Sequence, residues 1–169
     1  MANLRKNKKG SALDLIFIGS GLLAFAVVVL ISFMVYTNFN AEIQTHSDVP
    51  AQSKTASQAI NDFYPGFLDN SFLFLAIGLT LVSFALAALV RVHPIFIPLF
   101  IISLIFIIFF CGIFSNIYQG MAENAQLQTY ADQLTFISLI MEFLPFIVGI
   151  LGSVLMVIMY KLGQDAQIG

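Results

Sequence analysis

Glu142 is a carboxylate that lies within a long apolar stretch, which runs from Ile137 to Tyr160. Counting back about 20 residues from Lys161, the number that crosses a bilayer core, places Glu142 near the far edge of that stretch. An acid at membrane depth commonly binds an ion, a proton or a partner residue, and Pro145 frees a backbone carbonyl in the turn beside it. A hydrated position at the membrane interface or between two helices is the alternative that we favour.

Gly19-Ser20-Gly21 places a serine hydroxyl between two glycines in the first apolar stretch. The tripeptide resembles the serine motif of intramembrane proteases, but its spacing differs, and neither His46 nor His93 falls in another apolar stretch. We therefore interpret it as a small-residue patch at which helices pack closely.

Cofactor and metal chemistry finds little support in the sequence. Cys111 is the only cysteine, which excludes an intrachain disulfide and a thiolate metal cluster. Inside its apolar run, this thiol is expected to act as a small hydrophobic group. The sequence contains no His-x-x-x-His or Glu-x-x-His pair and no glycine-rich phosphate loop after a strand. We expect no enzymatic activity, no cofactor and no metal site.

The composition indicates an integral membrane protein. The chain has 169 residues, of which 59% are hydrophobic and only 9% are charged, and its mean hydropathy is +0.94. Soluble domains carry about 25% charged residues, and a chain this apolar has too little polar surface to cover itself in water. Since no linker-like segment divides the sequence, we expect a single all-α membrane domain.

Four apolar stretches predict an antiparallel bundle of four transmembrane helices. The second and third are joined by a turn at Arg91–Pro94 that is too short for anything but a hairpin. The predicted order is a basic tail (1–10), the first span (11–37), an external loop (38–70), the second span (71–90), a tight inner turn (91–94), the third span (95–117), an external segment (118–136), the fourth span (137–160) and a second tail (161–169).

The polar stretches are expected to carry some helix of their own. In the external loop, an apolar stripe predicts a short surface helix from Ala51 to Phe63, which Tyr64-Pro65-Gly66 should end. Asp69-Asn70-Ser71 is expected to cap the second span. We also expect the fourth helix to begin after Gly120, outside the membrane, and to be kinked by Pro145.

The distribution of charge predicts which side of the membrane each loop faces. With four crossings and a cytoplasmic N-terminus, six of the seven basic residues lie inside, which is the arrangement that the positive-inside rule favours. Both termini are then cytoplasmic, and both longer loops are external and acidic. The inner basic residues are Arg5, Lys6, Lys8, Lys9, Arg91 and Lys161, and the outer one is Lys54.

Small residues at several positions in the spans predict where helices pack against one another, because small side chains let backbones approach closely in lipid. These candidate packing residues are Gly19, Ser20, Gly21, Gly78, Ser83, Ala87, Gly149, Gly152 and Ser153.

These features favour a structural or accessory subunit of a larger membrane assembly. Its partners would be the lipid bilayer, other membrane-protein subunits or copies of itself. The basic tail (Arg5, Lys6, Lys8, Lys9) is expected to contact anionic lipid, and nucleic acid is the alternative if the host membrane is that of a lipid-containing virion. Otherwise the membrane is a cell's inner or plasma membrane. The alternative function is a small oligomeric channel, transporter or holin-like pore with Glu142 as its ion or proton site.

Overall fold

The computed structural model describes residues 12–89 and 97–165, and all regular structure in these ranges is helical. The predicted tail 1–10, the turn 91–94 and residues 166–169 lie outside the described residues, as do the side chains of residues 12–18, 86–89, 159 and 162–165. The helices are α1 (Ala12–Thr45), α2 (Ala51–Leu89), α3 (Ile97–Ala122), α4 (Gln128–Ala131), α5 (Thr135–Glu142) and α6 (Leu144–Asp165).

Three of these helices are long and apolar enough to cross a membrane. Within the described residues, the qualifying segments are Gly19–Thr45, Ala51–Ala85 and Ile97–Ala122. A fourth span results if α5 and the first part of α6, which meet at a bend of 66°, are counted together. The prediction of an all-helical membrane protein is confirmed at this level.

The predicted external loop is instead a long helical hairpin. α1 continues to Thr45, α2 begins at Ala51, and only residues 46–50 lie between them. The expectation that Tyr64-Pro65-Gly66 ends a short helix is therefore wrong, because α2 runs through Pro65 without interruption. Proline removes one backbone hydrogen bond, but α2 is packed against α1 on both sides of it, through Tyr64 and Phe72.

At the tip of this hairpin, polar side chains join the C-terminal end of α1 to the N-terminal end of α2. The Asn40 amide donates to Gln58 Oε1 (2.9 Å), and Asn40 Oδ1 accepts from Ser57 Oγ (2.7 Å). One turn further, Gln44 Nε2 donates to the Lys54 carbonyl (2.8 Å), and Lys54 Nζ donates to the Gln44 carbonyl (2.9 Å). A lysine at the C-terminal end of a helix also stabilises the helix dipole, so Lys54 helps to end α1.

The register of the hairpin follows from aromatic contacts nearer its base. Phe33 lies 6.3 Å from Tyr64 between ring centroids, and Phe25 stacks on Phe72 at 6.0 Å. As residue numbers rise along α1 they fall along α2, so the two helices are antiparallel. Asp69 of α2 consequently lies beside the middle of α1, far from either helix end.

The segment after α3 also differs from its prediction. α3 continues through Gly120 to Ala122, and two short helices, α4 and α5, follow where a single long helix was expected. The kink expected from Pro145 is present, but the helix already breaks at Phe143, between α5 and α6. Pro145 therefore occupies the first turn of α6, where its missing N–H needs no partner.

A core of large apolar side chains lies between α1, α2, α3 and the α4–α5 segment. α3 packs against α1, α5 and α6, while α2 packs against α1, α5 and α6. The least exposed of these side chains are Leu30, Phe33, Phe72, Tyr118, Leu134, Ile137 and Met141.

We predict that Asn40→Ala opens the tip of the hairpin. The substitution removes the bonds to Gln58 and Ser57 from a side chain that is 5% exposed, at a cost of about 1–3 kcal/mol. Since every 1.4 kcal/mol is about tenfold in an equilibrium, tryptic cleavage after Lys54 should accelerate by about fivefold or more. Gln52→Ala, in the exposed first turn of α2, is the control, and equal cleavage rates in the two variants would contradict the prediction.

Candidate functional site

Asp69 of α2 caps the N-terminus of a different helix, α5. Its carboxylate accepts the backbone N–H groups of Phe136 (2.9 Å, to Oδ2) and Ile137 (2.8 Å, to Oδ1). The N-cap residue of α5, Leu134, has no side-chain cap of its own, so Asp69 satisfies amides that would otherwise be left without partners. Asp69 was expected to cap the second span, and that prediction is wrong because it lies inside α2.

The negative charge of Asp69 suits this position. The side chain is only 6% exposed, and a carboxylate at a helix N-terminus is stabilised both by the dipole and by charge-assisted hydrogen bonds. Burying a carboxylate without such partners is costly. Asp69 therefore ties α5 to the middle of α2 and fixes where the chain returns toward α3.

Ser138 and Tyr118 form the next layer of the site. Ser138 Oγ donates to the carbonyl of Ala131 (3.1 Å), which uses its single hydrogen. The Tyr118 hydroxyl lies 3.2 Å from Ser138 Oγ and must therefore be the donor in that pair. This chain of two hydrogen bonds links α3, α5 and α4 in one place.

The bend between α5 and α6 is held from α3. Ser115 Oγ donates to the carbonyl of Glu142 at 2.9 Å, which satisfies one of the carbonyls that a helix C-terminus leaves free. Phe143 N donates to the Leu139 carbonyl, and α6 restarts as Ile147 N donates to Phe143 O. The bend is thus a defined structure with its own hydrogen bonds.

An acidic recess of about 260 Å³ opens beside these residues. Glu142 is one of its lining residues, and its side chain is exposed. Glu123 and Asp132 lie on the same recess, together with Tyr118 and Ser138. Within the described residues, no group of three histidine, cysteine or acidic side chains is placed to hold a metal ion.

Glycines of α6 lie directly against α3. A Cβ atom placed on Gly149 would lie 3.4 Å from Ile108 Cδ1. A Cβ on Gly152 would overlap the side chain of Leu104. The two contacts also show that α3 and α6 are antiparallel, because residue numbers fall along α3 as they rise along α6.

The remaining candidate packing residues have more varied surroundings. Gly19 approaches Phe114, whose Cε2 would be 3.2 Å from an added Cβ. Among the described residues, and apart from the adjoining helix backbone, no atom lies within 4 Å of that position at Gly21 or Gly78. Ser20 is partly buried. Two exposed hydroxyls bond to their own helices, as Ser83 donates to Leu79 O and Ser153 to Gly149 O. The side chain of Ala87 lies outside the described residues, as do Arg5, Lys6, Lys8 and Lys9.

Sequence reasoning missed the two polar elements that organise this end of the molecule. No pattern in the sequence around Asp69 predicts its capping role, because its partner amides are 67 and 68 residues away. The hairpin contacts did leave a local signal, since three of their residues on α1, Tyr36, Asn40 and Gln44, recur every four residues. Tyr36 takes part because its hydroxyl donates to the Ser57 carbonyl of α2 (3.4 Å). This spacing is typical of one helix face.

Comparison with known proteins adds no relationship: no protein-family model, no curated protein and no solved structure matches the chain. Its function must therefore be argued from the geometry described above.

We predict that Asp69→Asn destabilises the fold by about 1–3 kcal/mol, because the amide keeps one acceptor oxygen but loses the charge and the second bond. Circular dichroism during thermal unfolding in detergent should show a lower midpoint than in the parent. Asp62→Asn is the control, since Asp62 is an exposed acid on the same helix. An unchanged midpoint for Asp69→Asn would show that the cap contributes nothing.

Proposed function

We propose that this chain is a non-catalytic, multi-pass membrane protein that serves as a structural or accessory subunit of a larger membrane assembly. The observation that carries the proposal is the height of its exposed apolar surface, which exceeds the thickness of a bilayer core. Apolar side chains that lipid does not reach are expected to be covered by protein.

The height of the exposed apolar surface can be counted along the helix axes from one reference level. Asp69 and Tyr118 define this level, because they bond to the adjacent α5 residues Ile137 and Ser138. Exposed apolar side chains extend down α3 as far as Leu99, about 29 Å below that level. They extend up α2 as far as Ile60, about 14 Å above it. The total of roughly 43 Å compares with about 30 Å of hydrocarbon.

The charged ends of the helices suggest which part stands outside the lipid. Tyr160 and Lys161 lie at the end of α6, and such aromatic and basic pairs favour the membrane interface. If the hydrocarbon layer begins at Tyr160 of α6 and Ile97 of α3, its thickness of about 30 Å ends close to Tyr118 and Asp69. The hairpin beyond Asp69, about 27 Å of α2, then projects from the opposite face.

Four crossings with both termini on the cytoplasmic side fit this placement. Lys54 lies at the tip of the projecting hairpin and Lys161 at the other end of the molecule, as the positive-inside rule requires. The basic tail of Arg5, Lys6, Lys8 and Lys9 would then meet anionic lipid on the inner face, or nucleic acid within a virion. The membrane is a cell's inner or plasma membrane or that of a lipid-containing virion.

The bend at Phe143 favours a second candidate function, a small oligomeric channel, transporter or pore. Interrupted membrane helices commonly build ion sites where their backbone is freed. Glu142 stands at this interruption, on a recess that also carries Glu123 and Asp132. In such a protein Glu142 would bind the ion or proton.

We expect the chain, purified in mild detergent from its native membrane, to migrate as a complex larger than a monomer in which every component is stoichiometric. The apolar hairpin surface is the physical reason, since a monomer leaves it uncovered. Native mass spectrometry gives the composition. The complex, reconstituted in liposomes, should conduct no ions, and Glu142→Gln should change nothing.

Ion flux that is lost in Glu142→Gln would overturn this proposal in favour of the second candidate. Asp62→Asn is the matched control, because it neutralises an exposed acid outside the recess. A strictly monomeric chain without flux would contradict both functions.

We predict that a membrane-impermeant maleimide labels Gln52→Cys in intact cells but labels Gln164→Cys only after the membrane is permeabilised. Gln52 lies in the first turn of α2, on the hairpin, and Gln164 in the last turn of α6. The parent chain is the control, since Cys111 is buried. Labelling of both positions in intact cells, or the reverse pattern, would refute the proposed topology.

A further inference from the structure

The exposed face of α2 carries large apolar residues at a spacing of three and four. Ile60, Phe67, Phe74 and Leu81 recur every seven residues, and Phe63, Asn70 and Ile77 fall between them. All seven side chains are exposed, with Phe74 at 79% and Phe63 at 66%. We call these seven residues the α2 seam. Its repeat of 3.5 residues is that of a left-handed coiled coil.

The opposite face of α2 does the packing within the chain. Phe72 is fully buried, and Asp69 and Ser57 are buried as well. The seam therefore lies on a different side of α2 from the face that packs within the chain. It is a second, separate apolar face, and the described part of the chain leaves it uncovered.

We propose that the α2 seam binds the α2 seam of a second copy of this chain in a parallel, two-fold symmetric dimer. This inference rests on the proposed function, which it deepens by naming the first partner. Copies inserted by the same topogenic signals share one orientation in the membrane, so their α2 helices run parallel. A two-fold axis along the membrane normal then brings each seam residue opposite its own equivalent.

The shape of a groove on the α2 surface supports a second copy of the chain as the partner that binds the seam. In a parallel coiled coil, the knob at one seam position enters a hole formed by four residues of the partner helix. For Phe67, the hole would consist of the partner copy's equivalents of residues 63, 66, 67 and 70. A groove of about 690 Å³ lies there on each copy, lined by Phe63, Gly66, Phe67 and Asn70.

The neighbouring knob fits the same groove. For a knob at position 70, the hole is formed by residues 67, 70, 71 and 74. Ser71 and Phe74 also line the groove, and Asp62 completes its lining. Gly66 leaves the hole open, since no atom of the described residues, apart from the adjoining helix backbone, lies within 4 Å of where its Cβ would be. One stretch of helix thus supplies both the knobs and the holes, which is the condition for self-association.

The chemistry of the seam is self-compatible. Its seven residues carry no charge, so contacts between the two seams create no like-charge repulsion. One acid, Asp62, borders the groove outside the seam, and its Oδ1 accepts from Gln58 Nε2 of the same helix (2.8 Å). Asn70 is the single polar member, and an amide can both donate to and accept from an identical amide. At present Asn70 Nδ2 donates to Gly66 O at 2.8 Å. A lone polar seam residue of this kind fixes register and the number of strands.

The exposed area is close to what a dimer needs. Fully covered aromatic side chains bury roughly 150–250 Å² each, so the partly exposed seam presents on the order of 600 Å² per copy. A standard protein interface buries about 800 Å² per partner. The upper part of the seam, from Ile60 to Phe67, also lies beyond Asp69, where the proposed placement has no lipid to cover it.

Cysteine cross-linking in membranes tests the dimer directly. In a Cys111→Ala background, single cysteines replace Phe67, Asn70, Phe74 and Ile77 on the seam. Ala76 and Leu79 are replaced as controls on other faces of the same helix, and Leu79 is itself 39% exposed. Oxidation should give disulfide-linked dimers at the four seam positions. At the two control positions, the yield of linked dimer should be lower by a factor of about ten or more. Circular dichroism confirms that each variant is folded.

Each other outcome overturns the inference in a distinguishable way. Homodimers that cross-link at Leu79→Cys as well as at Phe74→Cys would show that the contact is elsewhere or random, while the proposed function survives. Seam cysteines that link only to a different protein would replace the second copy by that protein and also leave the function standing. No cross-link at any position, with a monomeric mass in detergent, would defeat both.

Discussion

The contact between the Asp69 carboxylate and the first amides of α5 is the constraint on which the architecture at this end depends. It joins the middle of one membrane helix to the start of a segment that is remote in sequence. Without it, α5 would begin with unpaired amides beside a buried acid, and both groups would be costly. With it, the chain can turn back over the end of α3 and enter α6 at a sharp bend. Ser115 then donates to the Glu142 carbonyl at that bend, while Ser138 links α5 to the Ala131 carbonyl of α4.

Because the cap lies part-way along α2, the remaining turns of α1 and α2 extend beyond it as a hairpin. The polar contacts of Asn40, Gln44 and Lys54 stabilise that extension at its tip. Its outer surface is mixed, because Phe39 and Phe63 are exposed beside the exposed acids Glu42 and Asp62. Large aromatic side chains that neither lipid nor the rest of the chain covers are commonly covered by protein. The exposed apolar side chains beyond Asp69 are therefore the physical argument for a protein partner.

Much of this was predictable from the sequence, and the limits have physical causes. Apolar stretches of membrane length show where helices form, because the bilayer leaves the backbone no other partner. The sequence also placed the kink near Pro145, since a proline ring cannot continue a helix. The same rule predicted wrongly at Pro65, because the flanking residues pack on α1 and these tertiary contacts outweigh the lost hydrogen bond. The role of Asp69 was beyond reach, because no local pattern records amides from another helix.

The α2 seam sharpens the kind of subunit that we propose this chain to be. In lipid, apolar side chains give helices no preference for each other over the acyl chains, so an apolar face alone implies nothing. The seam differs in three respects: its repeat is 3.5 residues, it is continuous from the hairpin into the predicted span, and its groove is lined by the residues that a parallel partner's knobs would meet. A rigid hairpin that dimerises through the outer half of this seam would set the spacing of two membrane bundles. That geometry favours a scaffolding role over a catalytic one, because it orders membrane helices without requiring a reactive site in any of them.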